Sequence, residues 1–173
     1  HVLRHRRPEG GHGRVSGKAY SCLSEQVNCL MKLNQDEIKT ILPHREPMLL
    51  VTSVEDLRPG EDIRAVFFAD SEMDIFRGHF PEEPILPGVY SIECMAQAVD
   101  ILLMTTPRYA RKTPLLLGVD SVRFRKRILP GDTLEIHAYI TSEQKEKAIV
   151  TCAAEIYVHQ ERVANGDITI AMR

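Results

Sequence analysis

Between Gly88 and Met104 the only charged residues are Glu93 and Asp100. Val89, Ile92, Met95, Ala96, Val99, Ile101, Leu102 and Leu103 leave almost no polar face. Pro87 stands just before this stretch, a favoured place for proline at a helix start. The segment therefore predicts one long helix. A helix apolar nearly all round must be covered on most sides, so the rest of the chain has to wrap it. Glu93, Gln97 and Asp100 fall at i, i+4 and i+7 and share one stripe. A buried helix that keeps one such polar stripe directs it at something.

The wrapping material reads as strands. Met48 to Leu57 is apolar and β-branched, and Ile63 to Phe68 follows the turn Arg58-Pro59-Gly60-Glu61. After the helix the pattern changes to period two. Leu134, Ile136, Ala138 and Ile140 alternate with Glu135, His137 and Tyr139, and Leu115–Phe124, Ala148–Val158 and Val163–Met172 are further strands. Short connections between them indicate an antiparallel meander. Two minor helices are expected. One is capped by Asn34 or Asp36 and runs through Leu42; the other lies at Ser71 to Phe76. The expected fold is α+β, a curved antiparallel sheet around one long central helix.

The 173 residues suit one domain, and the formal net charge of −2 gives no basis for nucleic-acid binding. No run approaches the roughly 18 apolar residues of a membrane span. Cys22, Cys29, Cys94 and Cys152 show no metal spacing. Cys94 and Cys152 fall in apolar stretches and read as buried free thiols, which suits a reducing cytoplasm. Residues 1–30 differ from the rest. They hold five basic residues against two acidic ones, a net of +3, which leaves −5 to the remainder. Glycine-rich and without periodicity, they read as a disordered basic tail. Met31 makes a plausible natural start, with the domain spanning 31–173. Upstream sequence foreign to the domain, or an Arg-rich transit peptide, would account for the tail.

The chemistry concentrates in Gly78-His79-Phe80-Pro81, Pro84-Ile85-Leu86-Pro87-Gly88 and the stripe beginning at Glu93. An imidazole takes and gives protons near neutral pH. A carboxyl on an apolar helix is poorly solvated as an anion and can carry a proton. The first N–H groups of the helix, at Gly88, point at any negative charge that develops beside them. Base, acid and anion-stabilising donor are the parts needed to move protons around an activated carbonyl. Each also has a plainer reading: a bonded structural His79, a Glu93 satisfied by a cation, a simple Pro-Gly turn. Gln97, one turn beyond Glu93, either orients that carboxyl or packs. No nucleotide loop or metal ligand set is present in the sequence.

These motifs, with Leu42-Pro43-His44-Arg45, Leu49-Leu50-Val51, Glu93-Cys94-Met95-Ala96-Gln97 and Pro130-Gly131-Asp132, resemble the β-hydroxyacyl-acyl-carrier-protein dehydratases over residues 33 to 172. The resemblance implies the hot-dog fold and dehydration of (3R)-3-hydroxyacyl chains to trans-2-enoyl chains in fatty acid synthesis. It implies homodimers assembled as trimers of dimers, with the active site between two subunits. His79 and Glu93 match the catalytic pair, and Glu at that position resembles the dehydratase-only branch. Asp100 stands where the family usually has a small residue. His44 and Arg45 are expected to be structural, at a subunit contact.

Within that resemblance Phe80, Ile85 and Leu86 line or gate an acyl tunnel, or belong to the core. No cofactor is expected, because the phosphopantetheine arm arrives with the substrate. Arg125, Lys126 and Arg127 form a basic cluster suited to docking an acidic acyl carrier protein. Other hot-dog chemistries, thioester hydrolysis or enoyl-CoA hydration, and a non-catalytic acyl-binding subunit are the alternatives.

Overall fold

A computed structural model of the chain describes residues 30–173. The tail expected over 1–30 lies, but for Leu30, outside the described residues. In chain order the elements are β1 (Met31–Leu33), α1 (Gln35–Ile41), β2 (Ser53–Arg58), β3 (Asp62–Phe68), α2 (Asp74–Gly78), α3 (Gly88–Met104), β4 (Pro114–Phe124), β5 (Thr133–Gln144), β6 (Ile149–Val158) and β7 (Glu161–Met172). One seven-stranded sheet runs β1-β2-β3-β5-β6-β7-β4. Every neighbouring pair is antiparallel.

The α+β expectation holds, and α3 occupies the predicted span. Cys94 through Leu103 are all buried on it, and the helix packs on β3, β4, β5, β6 and β7. The strands meet it with alternate side chains: Leu134, Ile136 and Ala138 of β5, then Val150, Cys152, Ala154 and Ile156 of β6. Each fully buried Leu, Ile or Val contributes about 1.5–3 kcal/mol, so this helix-sheet contact dominates the core. Cys94 and Cys152 are buried free thiols. Among the described residues no helix is long and apolar enough to cross a membrane.

α1 starts at Asn34, whose side chain accepts from the Glu37 N–H at 3.0 Å while Glu37 returns the bond to the Asn34 N–H at 2.9 Å. That reciprocal box satisfies two donors the helix start would otherwise leave open. Leu42 ends the helix in an extended conformation ahead of Pro43.

Four features depart from the sequence expectation. The strand expected from Met48 begins only at Ser53, because the Leu50 and Val51 N–H groups both donate to Gln97. The helical turn expected at Ser71 begins at Asp74. Asp70 first forms a turn, its carboxylate accepting from Glu72 N–H and its carbonyl from Met73 N–H. The three-residue strand β1 is too short to show a period. And β4 does not lie beside β5 as a simple meander requires. It sits at the far edge against β7, while β3 takes the place next to β5. The chain leaves β3, crosses under the sheet as α3 and emerges on the other side, so burial of the central helix dictates the strand order. The resulting edge leaves Leu115, Leu116 and Leu117 exposed.

Candidate active site

His79 stands where α2 ends, its N–H donating to the Ile75 carbonyl at 3.0 Å. The loop then turns back, and the Ile85 N–H donates to the His79 carbonyl at 2.9 Å. The ring is tied to the same residue, with Nδ1 2.9 Å from the Ile85 oxygen. A carbonyl oxygen only accepts, so Nδ1 carries the hydrogen and Nε2 is left with its lone pair. The loop thus presents His79 as a base through Nε2.

Phe80 lies flat against His79, ring centroids 4.1 Å apart. Reciprocal backbone bonds between Phe80 and Glu83 turn the residue outward, and it is 52% exposed. Ile85 and Leu86 do line a pocket of about 510 Å³, with His79, Gly88, Ile92, Phe124 and Ile128. Phe124 was not singled out by the sequence, where it is one apolar residue among arginines. Its ring lies so close over Gly88 that an added Cβ there would come within 2.8 Å of Cζ. Glycine is therefore required by the approach of an aromatic wall to the helix start. No side chain caps α3, whose N-cap is Pro87, so its first N–H groups remain available beside the pocket.

Glu93 faces elsewhere and is not on that wall. Gln97, fully buried, donates from Nε2 to Glu93 Oε1 at 2.7 Å and to the Met48 carbonyl at 2.6 Å. Its Oε1 accepts from Leu50 and Val51 at 2.9 and 3.3 Å. One amide thus ties the helix stripe to the loop before β2. His44 brings Nε2 to 3.7 Å from Glu93 Oε1. No spacing rule connects residues so far apart in sequence, and the sequence reading placed His44 at a subunit contact instead. Asp100, two turns beyond Glu93, is buried, and its Oδ1 has no hydrogen-bond partner among the described residues. Burial, and then the nearby Glu93 charge, push its carboxyl up to about 8.

The basic cluster is partly neutralised. Lys126 pairs with Glu161, Arg127 with Glu83, and Arg125 donates to Asn165 Oδ1 at 3.1 Å. All three still border the pocket. Among the described residues no group of three or more His, Cys, Asp or Glu is placed to hold a metal ion.

The FabA-like domain family model matches residues 42–167. The chain belongs to the FabA-like family. Within it, a 3-hydroxyacyl-acyl-carrier-protein dehydratase FabZ of Pseudoalteromonas translucida is 40% identical, covering 85% of this chain and 98% of its own. The same-named protein of Enterococcus faecalis is 38% identical over 80% of this chain and 97% of its own. The solved structure of the dehydratase heterocomplex ApeI:P from Xenorhabdus doucetiae superposes with a TM-score of 0.64. At 21% identity, covering 79% of this chain and 90% of that one, it supports the shared fold. The FabA-like match covers His79, Gly88, Glu93 and Gln97 together.

Proposed function

We propose that this FabA-like protein dehydrates 3-hydroxyacyl groups carried on acyl carrier protein to trans-2-enoyl groups, in fatty acid biosynthesis. The observation that carries the reading is the preset state of the pair. His79 has Nδ1 bonded and Nε2 free, and Glu93 has Oε1 anchored. Each therefore offers one atom for proton transfer.

In this reading His79 Nε2 takes a proton from C2. Negative charge developing on the thioester oxygen faces the N–H groups at the start of α3, at Gly88, where the helix dipole favours it. The proton of Glu93 passes to the C3 hydroxyl, the C3–O bond breaks and water leaves as the C2=C3 bond forms. The proton on His79 then returns to Glu93 through solvent, completing the cycle. Ile85, Leu86 and Phe124 hold the start of the acyl chain, which gains ~0.8 kcal/mol per buried methylene.

Glu93 is not among the residues that line the pocket with His79, which supports a site completed by a second copy. The open β4 edge, with Leu115, Leu116 and Leu117 exposed, offers a strand to pair with. We place the protein in the cytoplasm as a homodimer, extended to a trimer of dimers. Arg125, Lys126 and Arg127 at the pocket mouth receive the acidic carrier, Arg125 being the one without a carboxylate partner. No resident cofactor takes part.

The test is an assay of the purified protein with 3-hydroxyacyl-carrier protein, following enoyl absorbance and free thiol together. Enoyl product without thiol is expected. Thiol release instead would mean thioester hydrolysis, and no product at any chain length would leave an acyl-binding role.

A further inference from the structure

His44 reaches Glu93 from the loop that follows α1. Its Nε2 lies 3.7 Å from Oε1, the same oxygen that accepts the Gln97 amide at 2.7 Å. The other ring nitrogen, Nδ1, is buried and has no hydrogen-bond partner among the described residues. Buried polar atoms are nearly always bonded, so nothing in the loop's own hydrogen bonding accounts for where this ring sits. The polar group its ring meets is the Glu93 carboxylate.

Both approaches to Glu93 fall on one oxygen. Oε2 accepts no hydrogen bond among the described residues and is not sealed from solvent. A carboxyl that must hand a proton to a departing hydroxyl works through one oxygen. Anchoring the other removes a rotation that would otherwise misplace the proton.

We propose that His44 is a positioning residue for Glu93. With Gln97 it fixes Oε1, so that Oε2 is the oxygen that carries the proton to the leaving group. The role rests on the dehydratase reading, since it assigns Glu93 the acid's part.

The charge on His44 then matters. A neutral ring with Nε2 facing Oε1 at 3.7 Å, beyond hydrogen-bond length, only orients the carboxyl through its dipole. A cationic ring also favours the Glu93 anion, which has no proton to give. Of the other charged groups nearby, Asp100 is coupled to Glu93, whose charge helps to push the Asp100 carboxyl up. The Arg45 guanidinium is turned to the carbonyl oxygens of Leu42 and His44, and Asp100 lies two turns further along α3. Gln97 is uncharged.

The experiment uses the full chain, with a 3-hydroxyacyl N-acetylcysteamine thioester as substrate. His44→Ala is expected to lower kcat about tenfold while KM moves by less than about twofold. His44→Gln, whose amide N–H can face Oε1 but cannot titrate, should recover most of kcat and make the acid side of the pH profile shallower. An unchanged kcat and pH profile in His44→Ala would overturn the proposal. So would an equal loss in both variants with a lowered Tm, which is the mark of packing alone. A second readout needs no turnover: Glu93→Gln should change the ring ¹⁵N shifts of His44 and their pH dependence, leaving those of His159 unaltered. Unmoved His44 shifts would overturn the pairing. A wild-type protein that forms no enoyl product defeats the dehydratase reading instead, and the NMR result still decides whether His44 and Glu93 are coupled.

Discussion

Gln97 and Glu93, one helical turn apart, are joined by a 2.7 Å bond in which the buried amide donates to the carboxylate, and the same amide grips the backbone of Met48, Leu50 and Val51. Gln97→Leu keeps the volume and removes every one of these bonds. It strands two buried N–H groups and a carbonyl at about 1–3 kcal/mol each. The expected result is a fall in Tm together with a fall in kcat. Gln97→Glu, which can still accept from Leu50 and Val51, should recover part of the stability but not the rate. Thermal melts and steady-state kinetics on both variants check this.

His79→Ala and Glu93→Gln should each reduce dehydration by at least ~100-fold, the usual size of a proton-transfer contribution, with Tm little changed. If the site spans two copies, unfolding the two inactive variants together and refolding the mixture should restore roughly a quarter of wild-type activity, because half the random dimers carry one intact site of two. Absence of any recovery would place both residues in one chain's site.

Asp100 predicts a pH-dependent stability. Its carboxyl is pushed up to about 8 by burial and by the neighbouring Glu93 charge. In the unfolded chain it titrates near ~3.9. Between those values the folded protein holds a proton that the unfolded chain has released. The folded state therefore loses stability as pH rises, by up to ~1.4 kcal/mol per pH unit. Asp100→Asn should be more stable than wild type, by a margin that grows from about pH 4 to pH 8 and then levels off. Denaturant midpoints across that range test the sign.

Gly88→Val should damage the pocket, since its Cβ would meet the Phe124 ring at 2.8 Å. Phe124→Ala makes room for it. The double variant should therefore regain part of the stability lost by Gly88→Val alone, a coupling of about 0.5–3 kcal/mol in a double-mutant cycle.

Reversal of Arg125 to Glu should raise KM for the carrier-bound substrate, leave KM for a short thioester nearly unchanged, and weaken the salt dependence of the first. The same reversal at Arg127, which already pairs with Glu83, should do less.

The parts of this protein that were legible in sequence are those governed by local rules. The span of α3 followed from a mostly apolar run, broken by one polar stripe, between Pro87 and Thr105, and the Asn34 cap from a side chain placed to bond its own helix. The placements of β4, Phe124 and His44 depend on partners far along the chain. Phe124 reads as an isolated apolar residue until β4 is laid against β7 and its ring falls over Gly88. His44 reads as loop chemistry until α3 is packed and Glu93 arrives beside it. The late start of β2 has the same origin, because a side chain 47 residues from Leu50 takes the N–H that a ladder would have used.

The position of β4 at the end of the sheet also orders events during synthesis. Among the described residues its one strand partner is β7, from Glu161 to Met172, the final strand described. Phe124 and Ala164, paired across those two strands, both border the pocket. Until residues 161–172 have left the ribosome, β4 lacks this partner and α3 is left uncovered on that side. Such non-local pairing is slow, and the waiting strand is open to wrong partners. The pocket wall formed by Phe124 and Ala164 is thus completed only once β7 has been made.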